Sequence, residues 1–235
     1  MGSLFVLLAM AGCGGGSSSS APPGTERSVH WVNNWGPILN GSEDDGPTRS
    51  QSAVLVLQGA NPDGTDFTTT YNAPNVRPIA QSLGSSGSVK VGTFQLEARF
   101  YSRANSTGTL IGIARAVVSI TSPVPVDSAG HPAPDFQLDT SAVAVDSITV
   151  PGHQSLRIYA SAPLIFTAHP RGVTDHILAL SPNLETVQIT SGANNLSYSN
   201  GTMTGLNIGL STLTVTARGI TSAPATVRID NLDRP

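Results

Sequence analysis

The chain has 235 residues, 39% hydrophobic and only 11% charged, with a formal net charge of −3. The 12 basic residues are scattered, with no stripe to hold phosphates, which argues against a nucleic-acid partner. Its single cysteine, Cys13, excludes an intrachain disulfide and Cys-rich metal sites.

The run 4–11 (LFVLLAMA) is apolar but shorter than the roughly 20 residues a membrane-spanning helix needs. It has the length of a signal-peptide apolar core. The small residues Ala11 and Gly12 follow, then Cys13. The pattern resembles the bacterial lipoprotein signal, in which a small pair precedes an acylated cysteine. That resemblance implies lipid attachment at Cys13, export, and a membrane-anchored place in the cell envelope, periplasmic or surface-exposed. Met10 stands where that signal usually has Leu, and no Lys or Arg precedes Cys13. A basic leader is therefore expected upstream of Met1. Residues 14–26 read as a Gly/Ser tether after the signal at 1–13.

The next unit is expected over 27–121. Residues 28–33 (SVHWVN) read as a strand with Val29 and Trp31 on one face, and 34–52 as a polar excursion. Residues 53–57 (AVLVL) suit a strand buried on both faces, and 61–64 (NPDG) a turn. A Thr-rich strand is expected over 66–71 and a loop over 73–88. Over 93–101, Phe94, Leu96, Ala98 and Phe100 alternate with polar residues, the signature of a half-buried strand. The returning strand, 109–120, changes apolar parity between Ile113 and Val118, which predicts a β-bulge near Arg115.

Residues 122–141 open with four prolines in 13 residues (SPVPVDSAGHPAP) and read as a semi-rigid connection. Short strands separated by turn signals fill 142–230, and 231–235 are a tail. Within this part, 196–229 (LSYSNGTMTGLNIGLSTLTVTARGITSAPATVRI) resembles the bacterial immunoglobulin-like domain of group 2, the invasin/intimin type. Asn200-Gly201, Met203, Gly205-Leu206, Gly209 and the TLTVTA strand at 212–217 carry the likeness. Residues 145–150 are similar to that family's opening strand. The family's frequent central Trp is absent. The 93–120 strand pair is similar to the last two strands of many exported Ig-like modules. Together these readings predict an all-β protein of two tandem Ig-like antiparallel β-sandwiches after a signal and tether segment. The resemblance implies display at the envelope as a spacer, scaffold or adhesion module.

Chemistry is sparse. Asp175-His176 with an unspecified serine makes a triad only on paper, because no Gly-x-Ser-x-Gly elbow surrounds any serine. His169 and His176, seven apart across Pro170 and Gly172, do not form a ligand spacing on a regular element. Glu43, Asp44 and Asp45 cluster as hard oxygen ligands for Ca²⁺, without EF-hand spacing; a solvated acidic loop is the plainer reading. The same ambiguity holds for Asp63 and Asp66. Trp31, Trp35, Tyr71 and Tyr101 could make a sugar-binding face. Trp31 reads as core, and Trp35, placed in a loop, is the ligand-binding candidate. The expectation is a non-enzyme without a cofactor. Its partners are a membrane through the lipid anchor and a protein or glycan ligand, with a glycan-binding lipoprotein using loop aromatics as the alternative.

Overall fold

The computed structural model describes residues 25–39, 43–126, 128–141 and 143–231, with the backbone alone at 43–45. Cys13 and the rest of 1–24 lie outside the described residues. The chain is all-β. The first part supplies β1 (Glu26–Arg27), β2 (His30–Trp35), β3 (Ser52–Leu57), β4 (Phe67–Asn72), β5 (Ile79–Gly84), β6 (Val89–Lys90), β7 (Gly92–Tyr101), β8 (Leu110–Ile120) and β9 (Phe136–Asp139). A 3-10 helix, Glu43–Arg49, lies between β2 and β3. The second part supplies β10 (Val145–Thr149), β11 (His153–Arg157), β12 (Ser161–Pro163), β13 (Thr167–Pro170), β14 (His176–Leu178) and β15 (Thr186–Ser191). It ends with β16 (Leu196–Ser199), β17 (Thr202–Gly205), β18 (Gly209–Ala217), β19 (Ile220–Thr221) and β20 (Ala225–Asp230).

Two sheets form the first sandwich, ordered β14-β9-β2-β5 and β4-β3-β7-β8. Their inner faces meet in one core that includes Trp31, Trp35, Leu55, Leu57, Leu96 and Phe100. The alternation over β7 sets its inward face: Leu96, Ala98 and Phe100 are buried, while Gln95 and Arg99 are exposed. Arg27 ties the start of this sandwich to the approach of β9. Its guanidinium donates to the buried Asp135 carboxylate, which also accepts the His30 N–H at 3.0 Å.

Several sequence expectations move. The strand expected over 28–33 lies two residues later, so the period of two carries Trp31, Asn33 and Trp35 inward together. The loop expected over 73–88 contains β5, an outer strand whose exposed face left little alternation to read. Residues 136–139, placed in the proline-rich connection, form β9, which pairs parallel to β2. The bulge lies at Ile111 rather than near Arg115, since Phe100 pairs with Gly112 and Tyr101 with Leu110. The change of parity along β8 has another cause. Ala114, Ala116, Val118 and Ile120 face the first core, whereas Ile113 points outward and bridges to Leu180 of the second part.

The second sandwich is built from β11-β20-β18-β15, with β19 on β18, and from the β12-β17-β16 and β10-β13 pairings. β11 runs parallel to β20, and the other pairs within these sheets are antiparallel. Asn200 and Gly201 turn β16 into β17 with φ of 49° and 78°, the left-handed values that a two-residue hairpin demands. Its core includes Leu156, Phe166, Leu196, Met203, Leu213 and Val227.

The two sandwiches share one segment. β14 comes from the second part but pairs parallel with β9, through His176–Gln137, Ile177–Leu138 and Leu178–Asp139. Its continuation exchanges two hydrogen bonds between Leu180 and Ile113, at 2.8 and 2.9 Å. Ile177 and Ala179 are buried in the first core, and Leu178 and Leu180 in the second. A strand with both faces buried reads as an unbroken apolar run, and 177–180 (ILAL) is one.

Two outcomes follow. Phe100→Ala should destabilise the protein by about 3–5 kcal/mol in denaturant titration, because Phe100 is fully buried. A loss below about 1 kcal/mol would contradict its inward placement. Because one strand completes both cores, heat should unfold the two sandwiches in a single calorimetric transition. Ile177→Ala and Leu178→Ala, on opposite faces, should each lower that same transition. Two transitions shifted independently would show that the strand does not couple them.

Candidate functional site

A recess among the described residues lies where β2 and β9 end and β5 begins. Trp35, Pro37, Pro78, Ile79 and Ala80 give it apolar walls, and Asn34, Asp139 and Ser141 give it a polar side, around roughly 350 Å³. Gly36 makes the closure there. A Cβ at that position would lie 2.6 Å from the Ser141 Cα, so the two strand ends can approach only with glycine present. Ile38 and Ile79 stand exposed nearby.

Trp35, expected as an exposed loop aromatic, is only 1% exposed. Strand pairing extends far enough to carry its ring into the core. Its Nε1–H donates to Gln81 Oε1 at 2.7 Å. Phe100 and Tyr71 meet the ring edge-on, with centroids 6.0 and 6.1 Å away, and the Arg77 guanidinium lies 4.9 Å from its centroid. Arg77 is held there by donating to the Thr48 and Ser50 carbonyls. Trp35 thus forms a wall of the recess and offers no free face on which a sugar could stack. Trp31 stacks on Phe136 with a centroid spacing of 6.2 Å, and Tyr71 is buried beside it. Burial pushes the Tyr71 hydroxyl pKa well above its ordinary value. The exposed aromatic that the sequence did not single out is Tyr159, at 80% exposure and φ 61°. It shares the outward parity of Ser155 and Arg157 in the 155–160 alternation, so nothing set it apart from ordinary surface residues.

The polar side of the recess is internally matched. Asp139 Oδ1 accepts the Ser141 N–H at 2.7 Å and the Ser141 hydroxyl at 2.5 Å. His176 Nδ1 lies 3.4 Å from Asp139 Oδ2 and 3.4 Å from Asn34 Nδ2. The carboxylate therefore stands between serine and imidazole. A triad needs the imidazole on the serine, and this order does not activate the hydroxyl. His169 is used in strand contacts, with Nδ1 3.0 Å from the His176 carbonyl and Nε2 3.4 Å from Thr149 Oγ1.

The acidic candidates divide. Glu43, Asp44 and Asp45 lie on the 3-10 helix, and their side chains are outside the described residues. Asp63 is consumed by its own turn, accepting from the Thr65 N–H at 2.9 Å and the Thr65 hydroxyl at 2.6 Å. These bonds hold its carboxyl below the usual range. Asp66 accepts the Gly59 N–H at 2.8 Å. Among the described residues, no group of three His, Cys, Asp or Glu side chains could hold a metal ion.

The other polar cluster lies across the junction. Glu97 accepts from Arg115 Nε at 2.9 Å and from Arg99 Nε at 2.5 Å. Arg115 reaches the Asn200-Gly201 turn, where a Cβ on Gly201 would lie 3.4 Å from its terminal nitrogens. Behind that turn, the Tyr198 hydroxyl donates to Glu185 Oε1 at 2.6 Å and accepts the Gly201 N–H at 3.1 Å. Burial first, and then the Glu185 carboxylate, push the Tyr198 pKa up. Ile113, Phe166, Leu178 and Leu180 help to enclose a cavity of about 40 Å³ here.

No family model matches the chain, and no curated protein matches it. Among solved structures, it is similar to the N-terminal part of the bacterial S-layer protein SbsC, at 9% identity and a TM-score of 0.27. That match covers 86% of this chain and 44% of the other, so the chain spans less than half of that structure. It is also similar to the tandem Ig repeats of Dlar, at 11% identity and a TM-score of 0.20, covering 88% of this chain and 98% of the other. Neither similarity assigns a fold family or a function.

The junction carries a pH dependence. Burial alone would raise the Glu97 pKa, but Arg115 and Arg99 outweigh it, and its carboxyl is held below the ordinary range. A depressed carboxyl stabilises the fold above its unfolded pKa of about 4.3, and that contribution is lost as pH falls through the folded value. The melting temperature should therefore fall in acid below about pH 4.3. Glu97→Gln should flatten part of that fall; an unchanged acid profile would remove Glu97 as its source.

Proposed function

We propose that this protein is a lipid-anchored envelope module whose two Ig-like sandwiches act as one stiff spacer or adhesion scaffold. The observation that carries this reading is the shared strand at 176–180. It puts Ile177 and Ala179 into one core and Leu178 and Leu180 into the other. A linker joining independent domains leaves them free to reorient. A strand built into both cores holds them at a fixed angle, as a spacer requires. The polar contacts around Arg115 brace the same junction from the side. In this reading Cys13 carries the acyl chains and 14–26 link them to the sandwiches. The protein then stands at a bacterial membrane, periplasmic or surface-exposed, and presents its β-surfaces to a protein or glycan.

The anchor is tested by feeding producing cells a clickable fatty-acid analogue. The chain should take up label and Cys13→Ala should not. Label retained by Cys13→Ala would end the anchor reading. Stiffness is tested with spin labels on Thr68 and Gln188, one in each sandwich. A narrow distance distribution is expected, and a broad one would refute the rigid-spacer reading.

A further inference from the structure

The far end of the second sandwich is apolar in an unusual way. Where β11 ends, β18 begins and β20 ends, four large side chains stand in the open. They are Tyr159 at 80% exposure, Leu206 at 39%, Ile208 at 57% and Leu210 at 61%. The Tyr159 N–H donates to the Gly205 carbonyl at 2.9 Å, which fixes Tyr159 beside Leu206. Ile208 and Leu210 share a shallow groove of about 270 Å³ with Arg228 and Asp230. Strand register places Leu210 opposite Arg228 and Arg228 beside Ser155, with Asp230 beside Arg157.

The charges at this end are also particular. Arg228 Nε reaches the Asp230 carboxylate at 2.7 Å, which neutralises the acid at the patch. Arg157 is exposed and makes no ion pair among the described residues. Among the described residues the patch therefore presents apolar side chains, a tyrosine and a net positive charge.

We propose that this end inserts into the interfacial layer of a lipid bilayer, with Tyr159, Leu206, Ile208 and Leu210 in the headgroup–acyl boundary and Arg157 on an anionic headgroup. Two arguments select lipid over a second copy of the chain. Four partly exposed side chains offer far less than the roughly 800 Å² per partner that a stable protein interface buries. An isologous contact would also set one net positive patch against another, whereas an anionic headgroup complements it. A bilayer needs no matching surface, accepts a few apolar side chains, and favours tyrosine and arginine at its boundary. The contact is separate from the acyl anchor proposed at Cys13. Together the two would hold the protein at two points, where a single acyl chain binds only marginally.

The test uses the full chain with Cys13→Ser, so that no acyl chain contributes. Its sedimentation with phosphatidylcholine vesicles and with phosphatidylglycerol-rich vesicles is measured beside equilibrium ultracentrifugation without lipid. The Cys13→Ser chain should bind the anionic vesicles. Adding Ile208→Ser and Leu210→Ser should lower the bound-to-free ratio by at least about tenfold. Arg157→Gln should lower binding to anionic vesicles about fivefold and leave binding to phosphatidylcholine unchanged. These side chains are exposed, so the variants should keep the parent melting temperature. No vesicle binding, or binding indifferent to Ile208 and Leu210, overturns the proposal. A dimer in solution that dissolves in the Ile208→Ser, Leu210→Ser variant also overturns it and assigns the patch to self-association. Because the chain tested has no acyl group, failure here leaves the Cys13 anchor standing, and loss of fatty-acid label at Cys13 leaves this contact standing.

Discussion

Five residues, 176–180, hold this protein together. A β-strand sends successive side chains to opposite faces, and here each face belongs to a different hydrophobic core. The backbone of the same segment is tied on both sides, to β9 by parallel pairing and to β8 through Leu180 and Ile113. Neither sandwich can lose this strand without opening an apolar face. The junction is thus closer to a continuous core than to a contact between two folded bodies.

This arrangement explains features that look unrelated in each half. Ile113 lies on the outward face of β8, where a lone sandwich would place a polar residue, because the second part covers it. Arg115, on the same face, is turned into a structural residue by Glu97 on one side and the Asn200-Gly201 hairpin on the other. His176 and Asp139, which invite a catalytic reading, sit where β14 docks on β9, and their contact helps to fix that docking. Polar chemistry in this protein is largely spent on holding strands in place.

The first core shows how a small shift in strand position changes a functional reading. Alternation correctly placed Trp31 inside. Extending the same strand by two residues puts Trp35 on the same face and moves it from candidate ligand platform to core aromatic. The glycine and prolines after Trp35 made the residue look like loop, yet they only end the strand. The side-chain contacts that fix Trp35 come from Tyr71, Arg77, Gln81 and Phe100, all distant in sequence, so local pattern could not weigh them. Tyr159 presents the converse case. Its parity with Ser155 and Arg157 already set it outward, and its ring stands in solvent just past the end of β11.

By itself the sequence determined the all-β class, the inward face of β7, and the Asn200-Gly201 element with the 212–217 strand that follows it. These depend on neighbours one to four residues apart, through the period-two pleat and the left-handed turn. It also supplied the pattern at Cys13 on which the anchor reading rests. Tertiary structure decided the rest: that 136–139 is a sheet strand, that 176–180 serves two cores, that Trp35 is covered, and that the apolar side chains around Leu210 are left open. Each depends on what lies across a sheet or between sandwiches, tens of residues away. Burial is a property of that assembled surface, and an apolar run reads the same whether one core, two cores or none comes to cover it.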